Sequence, residues 1–106
     1  MEEKRSVERV ELNINFDNST DRVISLRNVS EHGLCVITSE EYSVGRYFTR
    51  NFILPNGSGV NIFGKVVWQK SKNHNMYENG SEFISLGSTD RVHLNQYIKN
   101  ALKKKR

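Results

Sequence analysis

Two stretches of the chain hold side chains whose types and spacing suit ligand chemistry. The first is Arg5-x-x-x-Arg9. A guanidinium is a planar, permanently charged fork that grips phosphate through paired bonds and stacks on flat rings. Two of them on one arm suit a small molecule that is both anionic and aromatic; the plainer alternative is a pair of solvated surface arginines. The second stretch is Asn28-x-Ser30-x-x-Gly33. An amide and a hydroxyl in a recess can reach base edges or phosphate oxygens, and a glycine there permits a sharp turn or a close approach. Its plainer alternative is a polar turn.

Catalytic signatures are missing. The sequence has no G-x-S-x-G, no P-loop and no H-E-x-x-H. His32, His74 and His93 show no spacing that gathers them on one metal, and Cys35, beside Leu34, Val36 and Ile37, reads as a small apolar core residue. One cysteine excludes an internal disulfide. The expectation is a binding protein, not an enzyme, with no metal and no cofactor.

At 106 residues, 36% hydrophobic and 26% charged, the chain has room for one domain with a modest core. No apolar run approaches the ~20 residues a membrane-crossing helix needs. No apolar stretch follows Met1-Glu2-Glu3-Lys4-Arg5, so a cytoplasmic protein is expected. The net charge of +4 equals the four basic residues Lys103, Lys104, Lys105 and Arg106. The body is neutral, which argues against a polymeric nucleic-acid partner. The basic tail suits a helix C-terminus, with a weak anchor for an acidic partner or membrane surface as the alternative.

The elements that must position these residues follow from periodicity. Val10, Leu12, Ile14 and Phe16 alternate with polar residues, as in a half-buried strand. Asp17-Asn18-Ser19 turns the chain, and a second strand over 20–27 places Ile24 and Leu26 inward. Asn28–Gly33 interrupts it before a short strand over 34–38. A strand over 46–54 leads to Pro55-Asn56-Gly57-Ser58-Gly59, the clearest hairpin signal in the chain. Val60, Ile62, Val66 and Trp68 line the next strand, 71–75 forms a loop, and 76–85 is the last strand. After Gly87, with Ser88, Thr89 or Asp90 as cap, Leu94, Tyr97, Ile98, Ala101 and Leu102 recur at helical spacing. The expectation is an all-β domain, a small six-stranded antiparallel barrel with one C-terminal helix. Residues 1–8 form a flexible arm, 9–86 the barrel, and 88–103 the helix leading into the basic tail.

In order and spacing the chain resembles the PilZ domain, the bacterial receptor module for cyclic di-GMP. Arg5 and Arg9 match that family's R-x-x-x-R ahead of the barrel; Asn28, Ser30 and Gly33 match its [D/N]-x-S-x-x-G. Gly64-Lys65-Val66-Val67-Trp68 is similar to its G-x-V-x-W strand and Gly80-Ser81-Glu82-Phe83 to its G-x-x-F strand. The likeness runs from Arg5 to about Leu102. Two departures stand out: His32 replaces the first of two adjacent glycines, and the [D/N] position is the neutral Asn28, which implies weaker binding than a carboxylate would give.

The resemblance implies a stand-alone cyclic di-GMP receptor or adaptor, with motility and biofilm among the family's settings. Arg5 and Arg9 would hold phosphate and guanine, Asn28 and Ser30 would address the guanine edge, and Gly33 would shape the turn. Trp68 would lie against a guanine; a core position in register with Val66 is the equal alternative. The arm, ordered by the ligand, would present a new surface to an unidentified downstream protein. A PilZ-like interaction scaffold that ignores the nucleotide is the competing reading. A third is a single-strand-binding barrel using Arg46, Tyr47, Phe48 and Arg50.

Overall fold

A computed structural model describes residues 9–16, 22–73 and 75–105. Arg5 and the arm, the turn at Asp17-Asn18-Ser19 and His74 lie outside the described residues. Six strands and one helix follow in order: β1 Val10–Asn15, β2 Val23–Val29, β3 Gly33–Thr38, β4 Tyr47–Ile53, β5 Gly59–Asn73, β6 Met76–Ser85 and α1 Ser88–Lys105. Every pairing is antiparallel, and the strand order is β1-β2-β3-β6-β5-β4. The sheet curls as a half-barrel with β1 and β4 at its two edges.

The helix fills the concave side. Leu94 and Ile98 enter the core with Val10 and Leu12 of β1 and Val60 and Ile62 of β5. Two polar contacts help span the opening. The Arg50 guanidinium lies 4.0 Å from the centre of the Phe16 ring, and the Tyr97 hydroxyl donates to the Glu11 carbonyl at 3.5 Å. At its lower end β5 outruns β6, whose last pairing is Ser85 with Phe63. Helix side chains take over there: Asp90 accepts from the Asn61 N–H at 3.0 Å, and the His93 ring meets the Gly59 carbonyl at 2.8 Å. Asp90 therefore serves the sheet rather than capping the helix, and the first helical turn closes from the Arg91 N–H onto the Gly87 carbonyl.

Bulges rewrite the simple alternation. In β2 the core side chains are Val23, Leu26 and Val29, because the register shifts between Val23 and Ser25 and again between Leu26 and Asn28. Ile24, expected inward, sits at the first shift and is only half-buried. Asn28 and Gly33 also belong to strands, so the turn is confined to Ser30–His32. The loop expected over 71–75 is mostly strand: β5 continues to Asn73 and turns at Asn75, where φ is +58°. Pairing with β4 stops at Lys65 and with β3 at Tyr77, so this hairpin tip stands out in water. Polar residues on both its faces erase the periodicity that would have revealed it.

One buried amide organises the centre. Asn79 donates to the Val36 carbonyl at 3.0 Å and to the Thr38 hydroxyl at 3.1 Å, and accepts from Gln69 at 3.2 Å. Gln69 also donates to the Tyr42 carbonyl, fixing the connection from β3 to β4 against β5. A buried polar side chain is tolerable only when satisfied in this way.

Candidate ligand-binding site

Cross-strand partners share a face, so the register assigns the outer surface. Glu11, Asn28, Cys35, Gly80 and Trp68 form one row across five strands, as successive partners of β1, β2, β3, β6 and β5. Arg9, one residue before β1, reaches onto this row and donates from its guanidinium to the Asn28 side-chain oxygen at 2.8 Å. The two sequence motifs thus meet in space, although 19 residues separate these members.

Ser30 works inward. Its side chain is 1% exposed, and its hydroxyl accepts from the N–H groups of His32 at 3.2 Å and Gly33 at 3.3 Å. The Ser30 N–H in turn donates to the Gly33 carbonyl at 2.9 Å. This hydroxyl builds the turn from which Asn28 and Arg9 are held. His32 is exposed in the same turn and its carbonyl accepts from Phe83 at 2.8 Å, tying the turn to β6.

Trp68 is not a core residue. Val67 is the extra residue at a register shift between Val66 and Trp68, which turns the indole to the outer face, where it is 42% exposed. The ring lies against the Gly80 backbone: a Cβ on Gly80 would come within 2.0 Å of the indole nitrogen. Gly80→Ala should therefore push the ring off the sheet while leaving the fold in place. The fluorescence of this sole tryptophan should change, with the melting midpoint falling by no more than about 8 °C, the shift of about 1 kcal/mol. An unchanged emission spectrum would contradict the packing.

Cys35 is buried, as its apolar neighbours predict, but not in the main apolar cluster. It is 2% exposed but stands on the outer face, and its thiol donates to Glu78 Oε2 at 3.4 Å. Burial, and then the Glu78 carboxylate, push the thiol up to about 12, while Arg27 and Arg9 pull the other way. Above its ordinary value of 9.0 the unfolded chain loses this proton and the folded chain keeps it. The contribution is therefore complete below pH 9 and fades as pH rises toward 12. Across that window the urea midpoint of the wild type should fall faster than that of Cys35→Ala; parallel curves would refute the shift.

Sequence reasoning missed Arg27 and Glu78. Neither belongs to a motif, and only the cross-strand register brings them beside Cys35. The fragment Arg46, Tyr47, Phe48 and Arg50 is dispersed. Arg46 covers Tyr42 at 3.9 Å, Phe48 packs against the core, Arg50 covers Phe16, and Tyr47 alone of the four stacks outward, on Phe63 at 5.6 Å. Among the described residues, open grooves also lie away from the motif row. One, of about 550 Å³, includes Arg50, Asn61 and Asp90; another, of about 690 Å³, includes Pro55, Tyr97 and Lys103.

A curled six-stranded sheet with a helix across its hollow, and a cation–amide pair on its outer face, defines a small all-β domain. The family model for the PilZ domain matches residues 2–100, and the chain belongs to that family. PilZ domains are binding modules of a cyclic di-GMP receptor family rather than enzymes. No curated protein and no solved structure matched the chain. Among the described residues, no helix is long and apolar enough to cross a membrane.

Proposed function

We propose that this domain binds cyclic di-GMP on the outer face of its sheet and passes the signal to a partner protein in the cytoplasm. Arg9, with Arg5 upstream, holds phosphate and guanine. Asn28 offers its amide nitrogen to the ligand while its oxygen anchors Arg9, and Trp68 supplies a flat surface for a guanine. Ser30 and Gly33 hold the turn that sets Asn28 in place. The observation that carries this reading is the 2.8 Å bond between Arg9 and Asn28 in the row that ends at Trp68.

An open face holds a small ligand poorly unless something closes over it, and in this reading the chain before Arg9, which carries Arg5, does so. Fixing each residue there costs roughly 1–2 kcal/mol of backbone entropy, against ~1.5–3 kcal/mol for each charge-assisted bond gained. Ligand and arm are then ordered together, and the closed arm is the surface a partner reads. Titration calorimetry with cyclic di-GMP, GTP and cyclic GMP tests the reading. Saturable heat with the cyclic dinucleotide alone supports it. A folded sample silent toward all three leaves the protein-interaction scaffold.

A further inference from the structure

We infer that Glu78 is a specificity residue of this face, the carboxylate that distinguishes guanine from other bases; the inference rests on the cyclic di-GMP reading above. Glu78 lies on the outer face of β6, two residues from Gly80, opposite Ile37 on β3 and Lys70 on β5. Its carboxylate is turned onto Cys35, whose S–H donates to Oε2 at 3.4 Å. Cys35 is the cross-strand partner of both Asn28 and Gly80, and Gly80 carries the Trp68 ring. Cys35 is thus hydrogen-bonded to Glu78 and, by register, neighbours both the Asn28 that holds Arg9 and the Gly80 on which the indole lies. The charges of Glu78, Arg27 and Arg9 all act on its thiol.

The chemistry of that arrangement is selective. The pairing edge of guanine presents two adjacent donors, N1–H and the N2 amino group. A carboxylate has two acceptor oxygens with about four lone-pair directions, so Glu78 can take both donors while Oε2 keeps the thiol bond. Adenine presents a bare N1 lone pair at the same position and would be repelled. Hypoxanthine keeps N1–H and lacks the amino group. A carboxylate would ordinarily repel a ligand with two phosphates; Arg9 and Arg27 supply the opposing field. Asn28 is neutral and already holds Arg9, so it cannot make this distinction by charge.

The test is calorimetric affinity of the full chain for cyclic di-GMP, cyclic di-IMP and cyclic di-AMP, in the wild type, Glu78→Gln and Cys35→Ala. The wild type should prefer cyclic di-GMP over cyclic di-IMP by about tenfold, one hydrogen bond to a charged acceptor. Glu78→Gln should lose about tenfold toward cyclic di-GMP and much less toward cyclic di-IMP, so that the ratio collapses. Cys35→Ala leaves the carboxylate present but untethered and should reduce the ratio only in part. If the wild type binds cyclic di-GMP and Glu78→Gln keeps both its affinity and its guanine-to-hypoxanthine ratio, the inference is overturned and the receptor reading stands. If the wild type binds none of the three, both fall together. Melting curves of each variant show that losses are of recognition and not of fold.

Discussion

Gly33→Ala should unfold the domain or leave it barely folded. A Cβ at this position would sit 1.9 Å from the Ser81 carbonyl oxygen, with the Ser81 carbon and the Glu82 Cα at 3.0 and 3.1 Å. All three are backbone atoms of the paired strand, so no rotamer change relieves the clash. Relief requires β3 and β6 to part where Gly33 faces Glu82 and Leu34 faces Ser81, in the middle of the sheet and over the fully buried Leu34. The Ser81 hydroxyl bond to the Leu34 carbonyl, at 2.8 Å, would be lost with them. Overpacking alone typically costs about 1–3 kcal/mol, and here ladder bonds are lost as well, so a cost above about 3 kcal/mol is expected. Domains of this kind hold about 5–15 kcal/mol in total. Circular dichroism melting should place the midpoint at least about 12 °C below wild type, or find no cooperative transition. A midpoint within a few degrees of wild type would mean that the strands do not approach so closely. The contrast with Gly80→Ala is informative, since there the obstructing group is a half-exposed side chain that can move away.

That contrast also separates what the sequence reveals from what it hides. Val10 to Phe16 and the helical stripe from Leu94 to Leu102 were legible because one face of each meets the core and period reports it, and the hairpin at Pro55–Gly59 was legible from its turn residues. Trp68 was ambiguous for a physical reason. Strict alternation from Val66 sends it inward, and one extra residue in the ladder sends it outward; nothing in a single strand's composition announces a bulge. Ile24 and Val23 exchange roles in the same way. Cys35 lies in a strand whose six residues are all buried, so its apolar neighbours suggest a core side chain, yet it faces Glu78 on the other side of the sheet. The proposed ligand residues are picked out by type and spacing. Arg27 and Glu78 are not, because neighbours brought together across strands are specified by register, and register is a property of pairs of strands.

The second large effect is on recognition. Arg9→Ala should weaken cyclic di-GMP binding by about 100-fold, the loss of one or two charge-assisted bonds. The fold should be indifferent to the change. Arg9 is exposed, precedes β1, and its bond to Asn28 is at the surface; substitutions of that kind usually shift stability by less than about 0.5 kcal/mol. Arg9→Lys discriminates between two ways the residue could act. A lysine keeps the charge but is a point donor without the planar fork. If the field at the face is what matters, Arg9→Lys binds nearly as the wild type does and both weaken together as salt rises. If the fork must hold Asn28 and phosphate at once, Arg9→Lys loses most of what Arg9→Ala loses at every salt concentration. The 2.8 Å bond to Asn28 favours the second outcome, and it adds a further expectation. Asn28→Ala removes the anchor but leaves the guanidinium, so Arg9→Ala combined with Asn28→Ala should cost far less than the sum of the two single losses. Full additivity in that cycle would show that the arginine and the amide act on the ligand independently, and the site as drawn would have to be abandoned.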